Sequence, residues 1–134
     1  MNMLIEMLAA RPRLQDLHES PARIVSALRL SIVARRTRQC PLGAAAARLG
    51  SRRAAAHLHL LMEEIGTAWP EPFCVSPPCC AFLSHDEALV ARMFALASEG
   101  DRPGFDRLLS DLLPDHVRER LYLSSNVLSM VVQV

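Results

Sequence analysis

The sequence predicts an all-α fold: a compact single-domain bundle of about six or seven helices with a Pro/Cys-rich central linker. Three observations predict it. Apolar residues make up 51% of the 134, yet aromatics only 4%, so Leu, Ala, Val, Ile and Met must fill the core. Ala and Leu are strong helix formers, and runs of β-branched residues are few. The apolar residues recur with helical spacing, and Ser, Asp, Gly and Pro stand where such segments begin and end. The length fits about one domain, and no pair of alternating segments suggests a hairpin.

The elements follow in order. Met1 to Ala10 can form a short amphipathic helix through Met3, Leu4 and Met7, stopped near Pro12. Ser20 is placed to cap the next helix with Pro21 in its first turn. Ile24, Val25, Leu28 and Ile32 share a face, and the helix runs out in Arg35, Arg36 and Arg38, cations suited to a helix C-terminus. Cys40-Pro41 ends it. Leu42 to Leu49 is a short Ala-rich helix. Gly50-Ser51 then supplies a stop and a new cap, and Arg52 to about Gly66 follows with Leu58, Leu61 and Ile65 on one stripe.

After the joint, Ser84 and Glu87 form a capping box, and Leu89, Val90, Met93 and Leu96 give a helix to Ser98. Asp101 caps a segment through Phe105, Leu108, Leu109 and Leu112, which Pro114 breaks. Asp115 starts a last helix through Val117, Leu121, Ser124 and Leu128 into Val127–Val134. The predicted core is Leu58, Leu61, Met93, Leu96, Leu108 and Leu121. The domain is thus a basic helical half (1–66), a joint (67–83) and an acidic helical half (84–134).

The joint carries three of the four cysteines and the one tryptophan. Cys74, Cys79, Cys80 and His85 follow the spacing C-x4-C-C-x4-H. Thiolate and imidazole are the ligands zinc prefers, and a tetrahedral site needs four of them, so these residues are the candidate metal site. Against it, adjacent cysteines project in different directions and the usual C-x2-C knuckle is missing. The alternative is that the cysteines are small packing residues.

All fifteen basic residues are arginine, and their distribution is uneven. Residues 1–60 carry ten against Glu6, Asp16 and Glu19, whereas residues 61–134 carry five against eleven acids. Such asymmetry points either to an anionic partner or to two halves that attract each other. Residues 44–65 resemble a helix-turn-helix, with Ala46 and Gly50 at the close approach. Arg35, Arg36, Arg38, Arg52 and Arg53 would then meet phosphates, and His59 would face the groove. An Ala-rich helical hairpin gives the same letters.

Other patterns carry less. His57 and His59 point to different sides of a helix, and Asp101, Asp106, Asp111 and Asp115 read as caps or solvated positions. No Ser-His-Asp order, phosphate loop or H-E-x-x-H motif is present, so the expectation is a protein without enzymatic activity and without a required cofactor. The start lacks a basic n-region, Glu6 interrupts its apolar run, and no stretch approaches about 18 apolar residues. These features, with cysteines read as thiols, lead to the expectation of a cytoplasmic protein that engages no membrane.

The order from Arg52-Arg53 through His57-Leu58 and Leu60-Leu61-Met62 to Glu64, then a proline-rich linker, Pro78-Cys79-Cys80 and Ser84 to Leu89, resembles small uncharacterised alphaproteobacterial helical proteins. The resemblance covers residues 24–130. It implies a cytoplasmic bacterial protein and transfers no catalytic residue. A further Cys before the CC pair, which the resemblance implies, is replaced here by Pro78. The functional expectation is a regulatory or accessory factor acting through a protein partner or self-association; the apolar tail Val127–Val134 either docks within its own chain against the apolar start Met1–Ile5, the slightly favoured reading, or forms a dimer seam. DNA binding and a zinc or redox switch are the alternatives.

Overall fold

A computed structural model describes residues 12–132, so the expected helix at Met1–Ala10 lies outside the described residues. Six α-helices follow one another: α1 (Glu19–Arg36), α2 (Pro41–Leu49), α3 (Arg52–Ala68), α4 (His85–Ser98), α5 (Arg102–Leu109) and α6 (Asp115–Val132). A 3-10 turn at Leu14–Asp16 precedes them. Among the described residues, the extended pairing is a single antiparallel bridge between Arg13 and Phe82.

Most helix ends sit where the sequence places them. Ser51 accepts from the Ala54 N–H at 3.1 Å, Asp101 from the Gly104 N–H at 2.9 Å, and Ser84 with Glu87 closes a full capping box. Gly50 ends α2 in left-handed backbone (φ 76) and donates to the Ala46 carbonyl at 2.8 Å, a conformation that costs glycine little. Gly104 is needed for a different reason. A Cβ there would stand 2.4 Å from the Asp101 carboxylate that caps the helix.

Two starts differ from the sequence reading. α1 begins two residues earlier than expected, at Glu19 rather than Pro21, with His18 in the cap position and Ser20 inside the first turn. Pro21 is tolerated there because the first four N–H groups of a helix lack internal partners anyway. Cys40 does not merely end α1. Its Sγ accepts from the Gly43 N–H at 3.4 Å, and Pro41 opens α2.

One hydrophobic core draws on all six helices, from Ile24 and Ala45 through Leu58, Leu61, Met93 and Phe105 to Leu121 and Leu128. Leu58, Leu61, Met93 and Leu121 are buried as expected. Leu96 and Leu108 are only half-buried at its margin, because Phe94, Ala97, Phe105 and Leu109 take the inward positions of α4 and α5. A smaller cluster joins Val25 and Ala91 to Leu83, with Leu14 and Leu17 packed on it.

α2 runs back along α1, since the Arg23 guanidinium donates to the Leu49 carbonyl at the end of α2. α6 lies antiparallel to α3: Arg53 shares a hollow with Val127 and Met130, while Glu64 accepts from Ser124 Oγ at 2.6 Å. This places α3 at the centre, with Ala54, Leu58, Leu61 and Ile65 buried. Leu61→Ala should therefore lower the unfolding free energy by about 2–5 kcal/mol. Leu60→Ala, at the exposed neighbouring position, should stay within about 0.5 kcal/mol, and chemical denaturation of both variants at a dilution where the chain is monomeric checks the pair.

Candidate functional site

The joint is held from one point in the interior. Arg29 of α1 and Glu87 of α4 are both fully buried, with side-chain exposures of 1% and 0%. Arg29 Nε donates to Glu87 Oε2 at 2.7 Å and Nη2 to Oε1 at 2.9 Å, a bidentate pair. The rest of the guanidinium reaches the joint: Nη1 donates to the Cys80 carbonyl at 2.8 Å and Nη2 to the Phe82 carbonyl at 3.0 Å. Glu87 also accepts from the Ser84 N–H at 2.8 Å and the Ser76 N–H at 3.2 Å. Each carboxylate oxygen thus has two donors.

Neighbouring residues complete the strap. Asp86 accepts from Trp69 Nε1 at 3.0 Å and from the Cys74 N–H at 2.7 Å, and Ser84 Oγ donates to the Cys74 carbonyl at 2.7 Å. On the far side, residues 12–14 lie along 81–83: Leu14 N–H donates to the Ala81 carbonyl and Leu83 N–H to the Pro12 carbonyl. Burial opposes the Glu87 charge, but the Arg29 bonds, the Ser84 N–H and the guanidinium's field outweigh it and hold the carboxyl below its ordinary pKa. The hydrogen bonds to Glu87 in turn raise the Arg29 pKa against desolvation.

In the sequence Glu87 reads as a member of the capping box, and Arg29 has no local role. The signal was present. Arg29 lies four residues after Val25 and three before Ile32, on the apolar side of α1, where a charge must find a partner.

The expected zinc ligands are not brought together. The Cys74 thiol donates to the carbonyl of Pro72, two residues back, at 3.8 Å. Cys79 and Cys80 sit at a turn closed by the Cys80 N–H on the Pro77 carbonyl at 3.0 Å. His85 is exposed as the first residue of α4. Among the described residues, no group of three or more His, Cys, Asp or Glu side chains is placed to hold a metal ion. The reason is the joint's path, which Asp86 and Glu87 fix by holding its backbone at Cys74 and Ser76.

The arginines expected at phosphates divide between two ends. Arg35, Arg36 and Arg38 are exposed at the C-terminus of α1. Arg52 and Arg53 are exposed at the start of α3, at the end of α1 that bears Arg23, about 18 Å along that helix from Arg35. The turn between α2 and α3 is Gly50-Ser51 alone, shorter than the three or four residues of a helix-turn-helix. Beyond its first turn, the exposed positions of α3 are Ala56, Leu60, Glu63, Gly66 and Thr67, which offer a groove few hydrogen-bonding side chains. His59 is half-buried and lies 3.1 Å from Glu63.

His59 and Arg35 do meet, at a partly enclosed cavity of about 180 Å³. It forms where α1, α2 and α3 face the joint, with Phe73 on the joint's side and Ser31, Arg35 and His59 as its polar lining. Phe73 leans on Trp69, ring centres 5.7 Å apart. A second feature lies on the outside of α3 and α6, where Leu60, Leu123 and Met130 are 55%, 58% and 56% exposed. In the described part of the tail, residues 127–132, Leu128, Ser129 and Val132 are buried, while residues 133 and 134 lie outside the described residues.

No protein family, curated protein or solved structure matches the chain. No helix among the described residues is long and apolar enough to cross a membrane.

The Glu87 geometry has a pH consequence. The folded carboxyl titrates below its unfolded value of about 4.3, so its stabilisation is complete above that pH and is lost as pH falls through the folded pKa. Glu87→Gln should be less stable than the wild type at about pH 6, and the gap between the two unfolding free energies should narrow as the pH falls below about 4.3. Denaturant unfolding across that range checks it; a constant gap would contradict the assignment.

Proposed function

We propose that the chain is a non-enzymatic cytoplasmic protein that acts through protein–protein contacts as a regulatory or accessory factor. The observation that carries this reading is the set of three large apolar side chains exposed on the outside of α3 and α6. Single exposed leucines are ordinary, but Leu60, Leu123 and Met130 lie on two neighbouring antiparallel helices and each leaves more than half its surface in water. Apolar surface concentrated in this way commonly marks an interface. The partner that fits with least assumption is a second copy, because a two-fold contact uses the same patch on both sides.

The face is separable from the core. Leu61 and Leu121 point inward from the same helices, so the outer positions can be changed without opening the interior. The prediction is a reversible dimer in sedimentation at increasing protein concentration. Leu123→Asp should yield a folded monomer with unchanged helical signal, whose melting temperature matches that of the wild type at dilutions where the wild type is monomeric too. A wild-type chain that stays monomeric at every concentration tested would contradict the second copy as partner.

A further inference from the structure

We propose that the cavity between α1, α2, α3 and the joint binds a small carboxylate with an apolar body, about the size of benzoate, with Arg35 receiving the carboxylate. The inference stands apart from the contact face, because it uses the opposite side of α3. It rests on size, wall chemistry and one unpaired cation.

Size comes first. An apolar cavity of about 150 Å³ stays dry and takes benzene. The cavity here, at about 180 Å³, admits a six-membered ring with its substituent at the mouth. The walls suit the ring: Leu28, Ile32, Leu58, Met62 and Phe73 offer only carbon and sulfur. An apolar hollow with few convergent polar groups is the common form of a small-molecule site.

The polar lining then selects the charge. Ser31 Oγ already donates to the Leu28 carbonyl at 2.8 Å. His59 is met by Glu63 at 3.1 Å. Of the three polar side chains that line the cavity, Arg35 is the one left without a hydrogen-bond or ion-pair partner among the described residues, and no acid lines it. Arg35 is exposed, so its charge stands at the mouth rather than in the apolar interior. A planar guanidinium there matches a carboxylate in bidentate geometry. The hollow on the other side of α3, lined by Glu63, Glu64, His116 and Arg120, mixes both signs and selects neither.

Benzoate titrated into the purified chain and followed by amide chemical shifts tests the proposal. The expected result is saturable binding, with shifts centred on Ser31, Leu42, His59 and Phe73. Benzyl alcohol keeps the ring but not the charge, and acetate keeps the charge but not the ring. Each should bind at least about tenfold more weakly than benzoate. Arg35→Gln should weaken benzoate by a similar factor, whereas Arg36→Gln, on an exposed residue outside the lining, should leave it unchanged. Absence of saturable shifts would overturn the proposal. So would equal binding of benzyl alcohol and benzoate, or equal loss in the two arginine variants, which would indicate diffuse attraction to the basic end of α1.

Discussion

The buried pair of Arg29 and Glu87 is the constraint on which the rest of the structure depends. Removing two charges from water costs several kcal/mol per ion, and their attraction offsets this only when the remaining hydrogen-bonding capacity is also filled. Here it is filled from three directions. Glu87 closes the cap of α4 and receives the joint at Ser76, while Arg29 takes the joint's carbonyls at Cys80 and Phe82. Among the described residues it is the ion pair that joins the basic half to the acidic half. The general attraction suggested by the charge asymmetry thus becomes one specific contact, which sets how α1 and α4 face each other across the joint.

The strapped joint also shapes the surface. Asp86 holds Trp69 and the Cys74 backbone, and Trp69 supports Phe73 at the cavity. The cavity's wall is therefore anchored to the first turn of α4, although its other walls belong to the first three helices. α3 serves both sides of the molecule. Its inward stripe is the centre of the core, a flank carries His59 and Met62 to the cavity, and its outer line carries Leu60.

Local features were legible in the sequence. The helices, the glycine stop at Gly50, the caps at Ser51, Ser84 and Asp101, and the core positions Leu58, Leu61, Met93 and Leu121 all follow from spacing and capping chemistry. The long-range pairing was not. Periodicity places Arg29 on an apolar face, but nothing local names a partner 58 residues away, and Glu87 already had a sufficient local explanation as a capping residue. The cysteine spacing misled for a related reason: ligand spacing describes what a loop could bring together, whereas the path of this joint is set by backbone bonds to Asp86 and Glu87. Arg35 and His59 were singled out from the sequence as phosphate and groove residues, and their meeting at a cavity depends on the packing of three helices.

A double-mutant cycle on Arg29→Met and Glu87→Met tests the dependence most directly. Each single variant strands a buried charge and is predicted to cost about 3–5 kcal/mol in unfolding free energy. The double variant is predicted to cost less than the sum of the two, by a coupling energy of more than about 2 kcal/mol, its remaining loss reflecting the Ser76, Ser84, Cys80 and Phe82 backbone groups left without their partners. Costs that add to within about 0.5 kcal/mol would show that the two residues act independently and would contradict the account.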